Sequence, residues 1–283
     1  MDNDGNSITN KGYSKTDEGI MKTDDKIRQD AGMSNDGHSS INHSIVLPID
    51  MVKLEAQSRE RLSRALRRRY QYESNLRPAQ EFLLEHVNSK IPLVIMYADL
   101  VGSTNMSMTL PASKMVTIIR SFSYEMSNII HSHGGFVLKY VGDAVVAFFP
   151  PEDNISSACE RSLESARRMI SIIKRGINPV LIQEGYPELK IKIGIDEGES
   201  IIIQYGHDKI SPIDILGYSM NKSAKITSLT SANGIMIGEN IFNVLPVELK
   251  LQFREITFER EKWKYIKRET GQLFKLYTYN SME

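Results

Sequence analysis

Residues 138–149 have the sequence LKYVGDAVVAFF. Two short apolar runs flank Gly142-Asp143, a pattern that predicts a β-hairpin with its tip at these two residues. The tip would hold the Asp143 carboxylate at the edge of a sheet, facing outward. An Asp in such a turn is most often only a turn residue, so its role depends on what else reaches that edge.

A second apolar segment also ends in an acid. Residues 91–99 are nearly all apolar up to Asp99, which predicts a strand buried on both faces, and a turn at 101–104 follows. Alone, Asp99 would only cap that strand. Two carboxylates at one sheet edge could instead share hard cations, because Mg²⁺ prefers oxygen ligands and is often held by one or two carboxylates plus substrate phosphates.

The composition is that of an ordinary globular protein. The 283 residues are 41% hydrophobic and 25% charged, with 35 basic and 35 acidic side chains. The zero net charge argues against nucleic acid or a membrane surface as a partner. The single cysteine, Cys159, excludes an internal disulfide and fits a reducing compartment. No membrane-spanning run or secretory signal is visible, so a cytoplasmic protein is expected.

Three regions follow from local composition. Residues 1–48 are polar and predict a disordered tail. Residues 49–90 predict a basic helical segment whose arginines form a solvated face, a dimerising helix or a contact for an acidic partner. The arginines are Arg59, Arg61, Arg64, Arg67, Arg68 and Arg69. Residues 91–283 would form the compact domain.

Within that domain, alternating helical and strand patterns predict an α+β sandwich. The expected arrangement is ferredoxin-like, of βααββαβ type, with a mostly antiparallel sheet and helices packed on it. We expect Pro111 to open a long helix, Gly176 and Pro179 to close a helix over 154–174, and 197–199 to form a turn between two strands. The other predicted elements are a helix over 218–229, a strand over 235–237, a helix over 239–244, and a hairpin over 253–279 that turns at 269–271.

Three motifs in this order resemble the class III nucleotidyl cyclases, which make cyclic AMP or cyclic GMP from a nucleoside triphosphate. They are MYADLVGST at 96–104, KYVGDA at 139–144, and a segment that starts as DILG at 214–217 and continues through Asn221 to Lys225. Each motif is weak alone, whereas their order and spacing together are specific. The resemblance extends from about Leu93 to about Tyr279.

The resemblance implies a role for each motif. Asp99 and Asp143 would hold two Mg²⁺ or Mn²⁺ ions, with the backbone carbonyl of Leu100 assisting one of them. Asn221 would position the ribose, and Lys225 would contact the phosphates. Lys225 departs from the family pattern, which usually has Arg there, and lysine lacks the planar fork that binds phosphate in two places.

The resemblance also implies that Lys139 and Asp214 read the adenine edge, since guanylyl members usually carry Glu and Cys there. The chemistry agrees, because lysine only donates hydrogen bonds and ionised Asp only accepts them. In the family, one subunit supplies the aspartates and its partner supplies the base readers. A homodimer with two shared sites and ATP as substrate is therefore expected.

Two further departures and two competing functions stay open. Ile203 and Asp196 stand where the family commonly has Gly and His, which bears on packing rather than on ligands. A cyclase-like module without turnover is the first alternative, favoured by Lys225 and opposed by the two aspartates. A nucleic-acid or other acidic partner bound by the basic segment is the second alternative, and the zero net charge disfavours it.

Overall fold

The computed structural model describes residues 50–67, 76–208 and 211–280, which all lie in one compact unit over 47–283. The predicted disordered tail over 1–48 lies outside the described residues, as do Arg68 and Arg69 of the basic segment. None of the helices in the described ranges is both long and apolar enough to cross a membrane.

The described residues form nine α-helices and eight strands. The helices are α1 (Met51–Arg67), α2 (Arg77–Glu85), α3 (Ser103–Thr109), α4 (Ala112–Ser132), α5 (Ile155–Ser171), α6 (Asn178–Gln183), α7 (Tyr218–Leu229), α8 (Glu239–Val244) and α9 (Val247–Lys250). The strands are β1 (Lys90–Leu100), β2 (Phe136–Val141), β3 (Ala144–Phe149), β4 (Ile191–Gln204), β5 (Ile213–Gly217), β6 (Gly234–Gly238), β7 (Phe253–Ile256) and β8 (Leu276–Tyr279).

The strands form one sheet with the order β2-β3-β1-β4-β6-β8-β7, and β5 also pairs with β4. Every pairing is antiparallel except that of β4 with β6. The ferredoxin-like core consists of strands β2, β3, β1 and β4 with the helices α4 and α5, which connect β1 to β2 and β3 to β4. The predicted α+β class with a mostly antiparallel sheet is therefore confirmed.

Both faces of the sheet are covered, because β1 sends alternate side chains into two different cores. Val94, Met96 and Ala98 pack with α4 and α5 in the larger core, whereas Leu93 and Ile95 pack on the opposite face with α2 and the start of α7. This double burial is the reason that the β1 sequence is almost continuously apolar.

The hairpin of residues 136–149 forms as predicted. Strands β2 and β3 pair from Phe136 opposite Phe148 to Val141 opposite Ala144. Gly142 has a φ of +62°, a left-handed conformation that glycine adopts without the steric cost that other residues incur. The tip therefore lies at Gly142 and Asp143.

The predicted turn at 197–199 is wrong. Strand β4 continues through these residues, because the whole of β1 pairs with it, from Lys90 opposite Ile201 to Leu100 opposite Ile191. A long neighbouring strand thus outweighs the local turn preference of glycine at position 198.

The predicted helix end at Gly176 and Pro179 is also wrong. After α5 the chain continues as a π-helical segment over Ile172–Ile177 and then as α6, where Pro179 occupies the first turn. Proline is favoured there since its missing N–H has no helical partner to lose. Gly176 lies against α1, where an added Cβ would come within 3.1 Å of Ser58.

The basic segment is docked on the rest of the domain. Leu62 and Leu66 of α1 are buried in the larger core. Arg61 donates two hydrogen bonds to the buried Glu125 carboxylate of α4, at 2.8 and 2.7 Å. The division of the chain into a regulatory segment over 49–90 and a catalytic domain over 91–283 stays a prediction.

Candidate active site

Asp99 and Asp143 lie side by side at one edge of the sheet. Strands β1 and β3 are antiparallel, with Ala98 opposite Val145, so the next position on each strand brings Asp99 next to the hairpin tip. Burial raises the pKa of the Asp99 carboxyl, and the Asp143 charge raises it further. The structure therefore brings together the two carboxylates predicted as cation ligands.

Asp143 carries a carboxylate oxygen that its surroundings do not satisfy. Its Oδ2 is buried and has no hydrogen-bond partner among the described residues. The side chain also lines a cavity of about 350 Å³. The other lining residues are Ser103, Thr104, Ser107, Met115, Ile119 and Gly142. A buried anionic oxygen without a partner is costly, and a bound cation would remove that cost.

These residues fit a hard divalent cation. Both side-chain donors are carboxylate oxygens, the ligands that Mg²⁺ and Mn²⁺ prefer. In the described part of the chain, no group of three or more His, Cys, Asp or Glu side chains could hold a metal. Asp99 and Asp143 alone would leave coordination positions for phosphate oxygens, as is common for Mg²⁺.

Leu100, the other predicted ligand, ends β1 and has a buried side chain. Its backbone N–H donates to the Asp99 carboxylate, and this hydrogen bond opposes the rise in the Asp99 pKa. The role of its carbonyl toward a cation stays a prediction.

Lys139 and Asp214 form the second pair. The Lys139 ammonium in β2 lies 2.5 Å from Asp214 Oδ2 in β5, and both side chains are partly exposed. Asp214 Oδ1 also accepts a hydrogen bond of 2.9 Å from the Ile215 N–H. Tyr97 in β1 is close enough to Asp214 that the carboxylate charge, added to burial, raises the pKa of the tyrosine hydroxyl.

Asn221 and Lys225 lie on α7, one helical turn apart. Asn221 is exposed and Lys225 is half-buried, whereas Lys222 and Ser223 between them are buried. Among the described residues, no hydrogen bond or ion pair links the Asn221 or Lys225 side chain to Asp99 and Asp143 or to the Lys139–Asp214 pair. By their contacts and positions, the predicted site residues in the described part of the chain fall into three groups: Asp99 with Asp143, Lys139 with Asp214, and Asn221 with Lys225 on α7.

Sequence reasoning missed Lys192. It lies opposite Asp99 in the β1–β4 register, and its ammonium is 3.5 Å from Asp99 Oδ2. The positive charge of Lys192 lowers the pKa of Asp99 and so opposes the rise that burial and the Asp143 charge cause. Alternation over residues 190–196 already marked Lys192 as the polar member of an apolar strand, but only the strand register places it beside Asp99.

A family model matches most of the chain. The model described as the adenylate and guanylate cyclase catalytic domain matches residues 86–277. This range contains both pairs, Lys192 and the whole of α7.

Curated relatives differ in the base that their names specify. A cytidylate cyclase from Staphylococcus aureus is 26% identical over 183 residues, which cover 63% of this chain and 43% of the relative. An adenylate cyclase from Anabaena cylindrica is 26% identical over 154 residues, which cover 53% of this chain and 30% of the relative. The chain thus spans less than half the length of these relatives.

Solved structures share the fold. The guanylyl cyclase Cya2 superposes with a TM-score of 0.58 at 19% identity, covering 68% of this chain and 93% of that one. The adenylyl cyclase CyaB from P. aeruginosa superposes with a TM-score of 0.55 at 20% identity, covering 69% and 96%. At such low identity these matches show a shared fold and do not identify the substrate.

Proposed function

Because the chain belongs to the adenylate and guanylate cyclase catalytic domain family, we propose that it converts ATP to 3′,5′-cyclic AMP and pyrophosphate at sites shared by two copies of the chain. The observation that carries this proposal is the partly exposed Lys139–Asp214 pair, in which Lys139 Nζ lies 2.5 Å from Asp214 Oδ2. Its donor and acceptor match the edge of adenine.

The reaction joins the ribose 3′-oxygen to the α-phosphorus and breaks the bond from that phosphorus to the bridging oxygen of pyrophosphate. The hydroxyl proton leaves to solvent or to a nearby base. Asp99 and Asp143 would hold two Mg²⁺ or Mn²⁺ ions at the reacting end. When bound, such ions activate the attacking oxygen and neutralise charge on the leaving one.

The protein's own task is to bind and orient the nucleotide. Positioning and charge neutralisation carry most of the rate in phosphoryl transfer, since little covalent chemistry is left for side chains. Lys225 would neutralise phosphate charge, and Asn221 would fix the ribose. Lys192, beside Asp99, adds a cation where the polyphosphate charge is greatest.

Base recognition would use the second pair. The Lys139 ammonium can donate to a ring nitrogen of adenine, and the Asp214 carboxylate can accept from the 6-amino group. Guanine presents a carbonyl oxygen at position 6, which the Asp214 carboxylate would repel. Lys139 and Asp214 bind each other in the described structure, so the base would take over contacts that the pair now makes internally.

The three groups support a shared site. Lys139 and Asp143 lie in one hairpin, yet their tasks concern opposite ends of the nucleotide. Two copies related by a twofold axis would each give the aspartates to one site and the base readers and α7 to the other.

A second candidate function is cyclisation of CTP. It is favoured by relatives from Staphylococcus aureus and Escherichia coli that are named cytidylate cyclase. Cytosine, like adenine, places one exocyclic amino donor beside a ring-nitrogen acceptor, so the Lys139–Asp214 pair alone does not distinguish CTP from ATP.

The test is product analysis with purified protein, each of ATP, GTP, CTP and UTP, and Mg²⁺ or Mn²⁺, alongside Asp143→Ala. Cyclic AMP from ATP that disappears with the substitution supports the proposal. Cyclic CMP as the main product moves the function to the second candidate. Nucleotide binding without any product identifies a module without turnover and contradicts both.

A further inference from the structure

A buried ion pair joins α7 to the sheet directly behind the proposed ribose-binding residue. Asp196 of β4 is 0% exposed and Lys222 of α7 is 2% exposed. The Lys222 ammonium lies 2.5 Å from Asp196 Oδ2. Lys222 follows Asn221 in the chain, so this contact is made in the helical turn that presents Asn221 to the site.

Both charges are enclosed by neighbouring groups. An added Cβ at Gly238 would come within 2.2 Å of Asp196 Oδ1, so the neighbouring strand β6 leaves no free space beside the carboxylate. On the other side, the Lys222 ammonium lies 3.9 Å from the centre of the Phe274 ring and 5.6 Å from that of Tyr218. The rings attract the cation through their electron-rich faces. The ion pair therefore has little freedom to change its geometry.

The remaining contacts of α7 fix its distance from the sheet. Gly194 of β4 allows the helix backbone to approach, since a Cβ there would come within 2.4 Å of the Thr227 nitrogen. Ser223 Oγ donates to the Ile95 carbonyl at 3.1 Å. These contacts use small side chains and backbone atoms. Two longer side chains reach the first turns of α7: Lys222 through its ion pair, and Tyr265, whose hydroxyl donates to the Asn221 carbonyl at 3.1 Å.

A buried ion pair adds little net stability to a fold. Removing water from two charges offsets much of their attraction, and apolar residues of similar volume often replace a buried ion pair without loss of stability. An apolar pair, however, would not fix the rotation of the helix about its axis, because apolar contacts are not directional.

We propose that Asp196 and Lys222 are positioning residues that set the rotation of α7 and thereby orient Asn221 and Lys225 toward the nucleotide. This inference rests on the proposed function, in which those two side chains bind ribose and phosphate. Asp196 and Lys222 act through α7 and touch neither.

The test replaces both charges together by Asp196→Leu with Lys222→Met, so that no unpaired charge stays buried. We expect the midpoint of thermal unfolding to stay within about 4 °C of the wild type. Amide hydrogen exchange over residues 218–225 should become about tenfold faster. The kcat for cyclic nucleotide formation should fall about tenfold with KM changed less than about threefold.

Two controls separate positioning from stability. Arg61→Met with Glu125→Leu removes another ion pair with a buried carboxylate, between α1 and α4, and should leave exchange over 218–225 and kcat unchanged. Lys222→Arg keeps the charge and should retain most of the wild-type kcat.

The proposal is overturned if the apolar double variant keeps both the wild-type kcat and the wild-type exchange over 218–225. It is also overturned if kcat per folded molecule is unchanged while only thermal stability falls. Should that variant fail to fold, Asp196→Asn with Lys222→Gln is judged by the same exchange criterion. If the wild type forms no cyclic nucleotide, the proposed function fails, whereas the exchange comparison still decides whether the pair orders α7.

Discussion

The Lys139 ammonium and Asp214 Oδ2 lie 2.5 Å apart although the residues are 75 positions apart in the chain. Strands β2 and β5 are not neighbours in the sheet, and α2 packs against both of them. The pair is partly exposed, so water screens its attraction and its contribution to stability is small. A surface pair with a small structural role is free to exchange its internal contact for contacts to a base.

Lys139→Met should lower kcat/KM for ATP by about 10- to 100-fold, because a hydrogen bond from a charged donor is worth about 1.5–3 kcal/mol. The loss for GTP should be smaller, since the proposed contact matches adenine. Lys90→Met is a matched control that breaks another exposed pair, with Glu199 at 2.7 Å. Equal losses for both nucleotides would contradict base reading by Lys139.

Asp143→Asn should abolish product formation yet leave the cation-free protein as stable as the wild type or more stable. The reason is that Asp143 Oδ2 is buried without a partner among the described residues, and neutralising it removes the cost of burying a charge. The measurement is thermal unfolding with and without Mn²⁺.

The wild type should gain about 2.7 kcal/mol from a cation at about 100 times its dissociation constant, and Asp143→Asn should lose that gain. An undiminished Mn²⁺-dependent stabilisation of Asp143→Asn would rule out Asp143 as a ligand.

Asp99 should make stability depend on pH. Its folded-state pKa is raised above the ordinary value of 3.8, first by burial and then by Asp143. Between the ordinary and the raised pKa, the folded state binds more protons than the unfolded state. The stabilisation that comes from protonated Asp99 is therefore complete at pH values below the ordinary pKa of 3.8. It is lost as the pH rises through the raised folded-state pKa.

The free energy of unfolding of the cation-free wild type, measured against that of Asp99→Asn across this range, should fall with rising pH. Lys192→Met should move the loss to higher pH, because the Lys192 cation lowers the Asp99 pKa. If the free energy of unfolding of the wild type, relative to that of Asp99→Asn, rose with pH instead, the raised pKa of Asp99 would be contradicted.

Local patterns in the sequence predicted the hairpin tip, the buried strand β1 and the helix α7, because turn residues and apolar periodicity are properties of neighbouring residues. Asp99 and Asp143 meet because each ends a strand of the same sheet. The contact of Lys192 with Asp99 and that of Lys222 with Asp196 depend on register and helix packing, which no single segment encodes.

The same distinction explains the errors in the predicted elements. The glycine at 198 and Pro179 have turn or breaker character in isolation. Strand β1, however, pairs with β4 from Ile191 to Ile201, and Pro179 is accommodated in the first turn of α6. The short helix α3 begins at Ser103, inside the predicted turn at 101–104, and was missed because its polar sequence has no apolar periodicity.

Lys225→Arg should raise kcat, by up to about tenfold, because a guanidinium can bind two phosphate oxygens at once. Lys225→Met should lower kcat by at least about tenfold, since the positive charge is lost. Single-turnover rates with ATP distinguish these effects from product release. Lys174→Met, at an exposed lysine of the π-helical segment, is the control. An unchanged rate in Lys225→Met would remove Lys225 from the site.

Whether two copies share each active site can be measured by mixing two inactive variants, Asp143→Asn and Asn221→Ala. If the aspartates and α7 act from different copies, a mixed dimer has one intact site. Random pairing of equal amounts then restores about one quarter of the wild-type rate. A mixture no more active than the two variants assayed separately, under conditions where size analysis shows that the copies exchange, would contradict the shared site.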